Sequence, residues 1–218
     1  MSKTPSTSYT LTFAAVVCVV CSLVVSSAAI LLKDRQERNV LLDKQKNILG
    51  AVGLHASNPD EIASLYASKI KELEVTDAKL PLYAREENGA PAAYAFPISG
   101  KGLWSTLYGY LALEPDGDTV KGITFYKHGE TPGLGAEIEK PWFQQNFVGK
   151  KILGSDGSLA SVAVVKGKVA ELIAPDQQSH FVDGISGATL TSKGVTKLVR
   201  AGLERYEPFL KTIRKEQQ

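Results

Sequence analysis

The chain has 218 residues, and its 25 lysines and arginines nearly balance 23 aspartates and glutamates. A formal net charge of +2 gives no electrostatic reason to expect a nucleic-acid partner, and the length beyond the apolar N-terminus suits one domain of ordinary size. The two cysteines, Cys18 and Cys21, fall in that apolar run, where no histidine or further cysteine completes a metal-ligand set, so no metal site is expected.

A short tail, residues 1–9, leads into residues 10–32, which carry no charge. At about 1.5 Å per helical residue such a run crosses a hydrocarbon core of roughly 30 Å. It exceeds the apolar stretch of about 7–15 residues in a cleaved signal peptide, so a retained transmembrane helix is expected even though Ser26, Ser27, Ala28 and Ala29 supply small residues. Lys3 alone precedes the span, whereas Lys33, Arg35, Arg38, Lys44 and Lys46 follow it. Taken by itself, that bias would leave the following domain in the cytoplasm.

Residues 33–57 are rich in charge with Val40, Leu41, Ile48 and Leu49 interspersed, and no Gly, Ser or Pro linker separates them from the span, which predicts a helical stalk. Asn58, Pro59 and Asp60 read as a helix start, after which Ile62, Leu65, Tyr66, Ile70 and Leu73 mark one apolar face. From Leu82 the period changes. Residues 92–98, 103–113, 119–126 and 159–165 carry the β-branched and aromatic residues of strands, bounded by Gly100, Asp116, Gly117 and Gly167. Residues 136–147 look helical, and residues 169–173 are expected to complete a hairpin across 166–168. No repeat or low-complexity segment interrupts this order. The fold class expected for residues 58–218 is therefore α+β, one domain with an antiparallel sheet and flanking helices, behind a single N-terminal transmembrane helix.

Two stretches bear on chemistry. In residues 183–192, two glycines and four hydroxyls approach a helix marked by Val195, Leu198, Val199, Leu203 and Tyr206, which is expected to run as far as Pro208. Residues 186–191 should therefore lie at or near a helix N-terminus, where free N–H groups and the positive end of the helix dipole favour a phosphate. An ordinary Gly/Ser loop capping a core helix would use the same residue types. The second stretch, residues 128–135, follows a strand and holds glycines that leave backbone N–H groups unshielded; a plain strand-to-helix connection would also look like this. An aromatic strand at 101–110 could lie beneath a ring system or simply be core.

Asp183, Ser186, Gly187, Ala188 and Thr189 together resemble the signature at which a flavin transferase esterifies the phosphate of FMN to a threonine hydroxyl. The block from Glu130 to Glu137, with Thr131, Gly133 and Leu134 in it, is similar to the loop that packs against the flavin in the same proteins. With one membrane helix in front, the chain resembles the C subunits of the bacterial sodium-translocating NADH:quinone oxidoreductases over nearly its whole length. That resemblance implies covalent FMN on Thr189, its phosphate resting near Gly187, Ala188, Leu190 and Thr191 with Lys193 as counter-charge, and its ring reaching toward Glu130, Thr131, Gly133 and Leu134. It further implies a bacterial inner-membrane protein with the flavin domain on the periplasmic side, and the expectation follows the resemblance rather than the charge bias. Implied partners are the other membrane subunits of a complex that moves electrons from NADH to ubiquinone and exports Na+, and a flavin transferase for maturation. No residue is needed as a protein catalyst, and without a G-x-G-x-x-G unit the chain alone should not oxidise NADH. Three rivals differ in the use of the same residues: the flavin subunit of a ferredoxin-linked electron transport complex, a non-catalytic anchored domain binding a free phosphate ligand, and a hydrolase using Ser186 with His180 or His128 and Asp183, which lacks the G-x-S-x-G elbow.

Overall fold

In the computed structural model, residues 6–75 and 79–216 are described, so most of the 1–9 tail lies outside the described residues. The chain divides into two units, Met1–Leu41 and Leu42–Gln218. The first consists of helix α1, which spans Thr7–Ala51 and so runs on into the second. Among the described residues α1 is the one helix long and apolar enough to cross a membrane, with a mean hydropathy of 2.7 in its most apolar window. Val16, Leu23, Val24 and Ile30 are all exposed along it. Such a surface is stable in hydrocarbon, and helical hydrogen bonding leaves no backbone group unpaired there.

The second unit is built on a five-stranded antiparallel meander: β1 (Ile70–Val75), β2 (Leu80–Glu87), β3 (Ala90–Lys101), β4 (Thr106–Leu113) and β5 (Val120–Lys127), in that order. Alternation assigns its faces. Phe96 and Ile98 of β3 and Leu107, Leu111 and Leu113 of β4 join the main core under helix α5 (Thr189–Glu216). The intervening Ala93, Ala95, Tyr110 and Ala112 face a second core built with Ile48 and Leu49 at the end of α1, Val52 just after it, and Ile62 and Tyr66 of helix α2 (Pro59–Lys69). Helix α5 lies close on β3, because a Cβ on Gly194 would sit 2.6 Å from the Lys101 carbonyl oxygen. Two small elements, β6 (Ala163–Val164) and β7 (Phe181–Val182), pair in parallel.

Asn58 caps α2 as expected, its side-chain oxygen accepting from Glu61 N at 2.8 Å, with Pro59 at the first helical position. The helix stops at Lys69, however, and Ile70 and Leu73 belong to β1, where backbone pairing with β2 outweighs the helical spacing. Residues 103–105 form a turn before β4 rather than part of the strand. The expected hairpin at 169–173 is instead a short helix, α4 (Val169–Leu172), and β6 takes its partner from β7. Residues 136–147 hold a 3-10 turn, Gly135–Glu139, and the brief helix α3 (Pro141–Gln145). Finally, α5 runs through Pro208 to Glu216, since Leu210 and Ile213 beyond it are still buried in the core.

Candidate functional site: a helix N-terminus beside a buried carboxylate

Helix α5 begins at Thr189, immediately after a turn in which Ala188 N donates to Ile185 O (3.1 Å) and Ser192 N to Ala188 O (2.9 Å). The first N–H groups of any helix lack intrahelical acceptors. Those of Thr189, Leu190 and Thr191 have no acceptor among the described residues. Gly187 takes φ +73°, the left-handed conformation that lets the chain turn into the helix. Ser186 and Gly187 are exposed, Thr189 is half-buried, and the hydroxyls of Ser186 and Thr189 make no hydrogen bond among the described residues. Three unpaired N–H groups, two free hydroxyls and the positive end of a helix of 28 residues are the donor set that a phosphate requires.

Thr191 differs from Thr189. It is buried, and its hydroxyl donates to Glu130 Oε2 at 2.6 Å. Glu130, also buried, accepts three more hydrogen bonds from consecutive backbone N–H groups: Trp104 to Oε1 (3.0 Å), Ser105 to Oε1 (3.4 Å) and Leu103 to Oε2 (3.3 Å). Burial pushes the Glu130 pKa up, but the Thr191 hydroxyl and the three N–H groups outweigh it, and the carboxyl titrates below the usual glutamate range. Space around the group is tight. A Cβ on Gly102 would come within 2.6 Å of Oε1, and one on Gly135 within 2.9 Å of Oε2.

The rest of the 128–135 loop folds around this carboxylate. Thr131 O accepts from Leu134 N and Ala136 N, both at 3.1 Å, and Gly133 stands exposed at φ +73°. Leu134 reaches the turn before α5: a Cβ on Gly187 would lie 2.7 Å from its Cδ2. The structure therefore brings Gly187, Ala188, Thr189, Leu190 and Thr191 together with Glu130 and Leu134, and places Thr131 and Gly133 on the same loop. Trp104, 71% exposed, and Leu134 and Leu190, 42% and 57% exposed, put apolar surface on the three segments that meet at the Glu130 carboxylate, where a planar ring could lie.

Asp183 turns elsewhere. Its carboxylate accepts from Val169 N (2.8 Å) and Lys168 Nζ (2.7 Å), fixing the start of α4. Burial pushes its pKa up, but the Lys168 hydrogen bond, the Val169 N–H and the charges of Lys168 and Lys150 outweigh burial and hold it below the usual aspartate range. Lys193 is exposed in the first turns of α5 and makes no ion pair among the described residues. The hydrolase constellation is not assembled: His180 Nδ1 contacts Lys151 O, His128 lies between Glu139 and Glu130 N, and neither bonds to Ser186. Sequence reasoning placed 101–110 as a strand and so missed the tight 102–105 turn, closed by Gly102 N to Ser105 O at 2.8 Å, that presents Trp104. The signal was Gly102 two residues before Trp104, read as part of a strand rather than its end.

A helix start with unpaired N–H groups, exposed apolar side chains beside it and a meander sheet suit a domain that holds a nucleotide with a planar ring, and the FMN-binding domain family matches residues 102–204, from the Trp104 turn into α5. The C subunit of the Na(+)-translocating NADH-quinone reductase of Pseudomonas aeruginosa is 38% identical, covering 99% of each chain. Its counterpart in Vibrio alginolyticus is 35% identical over 90% of this chain and 91% of its own. Among solved structures, the C subunit of the Parabacteroides distasonis enzyme superposes with a TM-score of 0.71 at 36% identity, covering 82% of this chain and 96% of that one. The chain belongs to the family of C subunits of Na(+)-translocating NADH-quinone reductases, and its apolar N-terminal helix fits a membrane-anchored protein.

Proposed function

We propose that this chain carries FMN esterified through its phosphate to the Thr189 hydroxyl, and that it serves as an electron-carrying subunit of a complex that passes electrons from NADH to ubiquinone and exports Na+. The observation that carries the reading is the unpaired Thr189 hydroxyl at the first residue of α5, beside the unpaired N–H groups of Thr189, Leu190 and Thr191. Thr191, the other hydroxyl in that turn, is already bonded to Glu130 and buried. When bound, the flavin supplies one- and two-electron transfer.

The chain's own residues hold and shield it. The N–H groups at the helix start receive the phosphate, and Ser186 and Lys193 stand exposed beside it as further polar partners. Gly187 leaves room for close approach of the backbone. Trp104, Leu134 and Leu190 supply an apolar bed that excludes water from one side of the ring, with Thr131 and Gly133 at its border. Asp183 acts one step removed, holding the 166–169 turn against the approach to the site. The flavin domain faces the periplasm, anchored by α1 beside the other subunits of the complex, and a flavin transferase completes it there. Expression of the chain with and without a flavin transferase, followed by denaturing electrophoresis under ultraviolet light and intact mass, tests the reading. A fluorescent band and the added mass of one FMN are expected only with the transferase; a transferase-treated chain of unmodified mass contradicts it.

A further inference from the structure

We infer that Glu130 is a positioning residue of this site, whose buried carboxylate ties the Trp104 turn to the first turn of α5 and so sets the gap that receives the ring. The inference rests on the flavin reading above. Three successive N–H groups, those of Leu103, Trp104 and Ser105, converge on one carboxylate at 3.0–3.4 Å. Such a run of N–H groups is an anion-binding concavity. Here the anion comes from the chain itself, from a loop 25–27 residues away in sequence. The fourth donor, Thr191 Oγ1 at 2.6 Å, belongs to α5, so one side chain joins three segments: the β3–β4 turn, the loop after β5, and the helix that carries Thr189.

The Trp104 indole is 71% exposed and stacks on no other ring among the described residues. Little packing fixes its place, so its backbone, held by Glu130, must do so. The carboxylate has no ion-pair partner among the described residues, and backbone dipoles and a hydroxyl stabilise its charge without cancelling it. A negative charge therefore remains beside the flavin site and opposes addition of electrons there.

Two substitutions separate the parts of the role. Glu130→Gln replaces one acceptor oxygen with an NH2 group that faces donors, so it both loosens the turn and removes the charge. Thr191→Val keeps the charge and the three N–H bonds and cuts only the link to α5. The full-length chain in detergent, matured with the flavin transferase, is measured by hydrogen exchange and by redox titration of its flavin. In Glu130→Gln, amides of residues 103–105 should exchange about 10- to 100-fold faster, the factor expected from loss of one charge-assisted hydrogen bond, and the flavin should be reduced at a higher potential while the denatured chain keeps its covalent fluorescence. In Thr191→Val, exchange should quicken at Ser192, whose N–H donates to Ala188 O at the start of α5, but not at 103–105, and the potential should move less than in Glu130→Gln because the carboxylate keeps its charge. Wild-type exchange and potential in Glu130→Gln would overturn the inference, as would faster exchange at 103–105 in Thr191→Val without any change in α5. If Glu130→Gln does not fold, Thr191→Val with wild-type exchange in α5 also overturns it. Failure of the flavin reading shows separately, as wild-type chain without covalent FMN; the exchange comparison, repeated in the Thr189→Ala background, then still decides whether Glu130 holds the turn.

Discussion

Replacing Gly187 with alanine tests the turn that leads into Thr189, and Gly133 supplies a matched control. Both glycines stand at φ +73°. A residue with a side chain costs about 1–2 kcal/mol in that conformation. At Gly133 nothing lies within 4 Å of the added Cβ, so this is the whole effect. At Gly187 the Cβ would lie 2.7 Å from Leu134 Cδ2, and Leu134 must leave its rotamer, adding about 0.5–1.5 kcal/mol. For a unit the size of Leu42–Gln218, each kcal/mol lowers Tm by about 2–4 °C. Gly133→Ala should thus lose about 2–8 °C and Gly187→Ala about 1–6 °C more than that. Tryptophan fluorescence is a suitable probe, because Trp104 and Trp142 both lie in this unit and α1 contributes no signal. Since the displaced Leu134 meets the turn two residues before Thr189, Gly187→Ala should also take up covalent flavin more slowly than Gly133→Ala. Equal Tm values and equal flavin uptake in the two variants would refute the contact between Leu134 and the turn.

Glu130 and Asp183 both titrate below their ordinary ranges in the folded chain, so their stabilisation is complete above the unfolded-state pKa values and is lost as pH falls through the folded ones. Thermal unfolding followed from about pH 6 down to pH 3 should therefore fall steeply in wild type and less steeply in Glu130→Gln, and identical slopes would contradict the ionised, hydrogen-bonded state of Glu130. For topology, protease added to intact spheroplasts should digest the region after Leu32, whereas full protection would place the domain in the cytoplasm as the basic residues 33–46 suggest.

What the sequence made legible was local. The Asn58 cap, the alternating faces of β3 and β4, and a helix start near Thr189 each follow from residues within one or two turns of each other. What it hid was non-local or ambiguous. Ile70 and Leu73 satisfy a helical face and a strand face alike, and only pairing with Arg85 and Leu82 decides between them. The helix α4 starts where it does because Asp183, 14 residues on, accepts the Val169 N–H. Pro208 reads as a stop, yet continued burial of Leu210 and Ile213 carries α5 past it. In the candidate site, the threonines at 189 and 191 look alike in sequence; their separation into one free and one buried hydroxyl depends on Glu130, 61 residues from Thr191. The 128–135 loop could be singled out from its glycines, but not the direction in which its carboxylate points.

Peptide mass mapping of the chain matured with its flavin transferase, in wild type, Thr189→Ala and Thr191→Ala, tests the central claim most directly. Thr191→Ala should lose the hydrogen bond to Glu130, worth about 1.5–3 kcal/mol for a bond to a charged group, and still carry FMN. The account predicts FMN on the peptide at Thr189 in wild type and Thr191→Ala, and a folded, membrane-bound Thr189→Ala chain without it. FMN mapped to Thr191 or Ser186, or retained in Thr189→Ala, would contradict it.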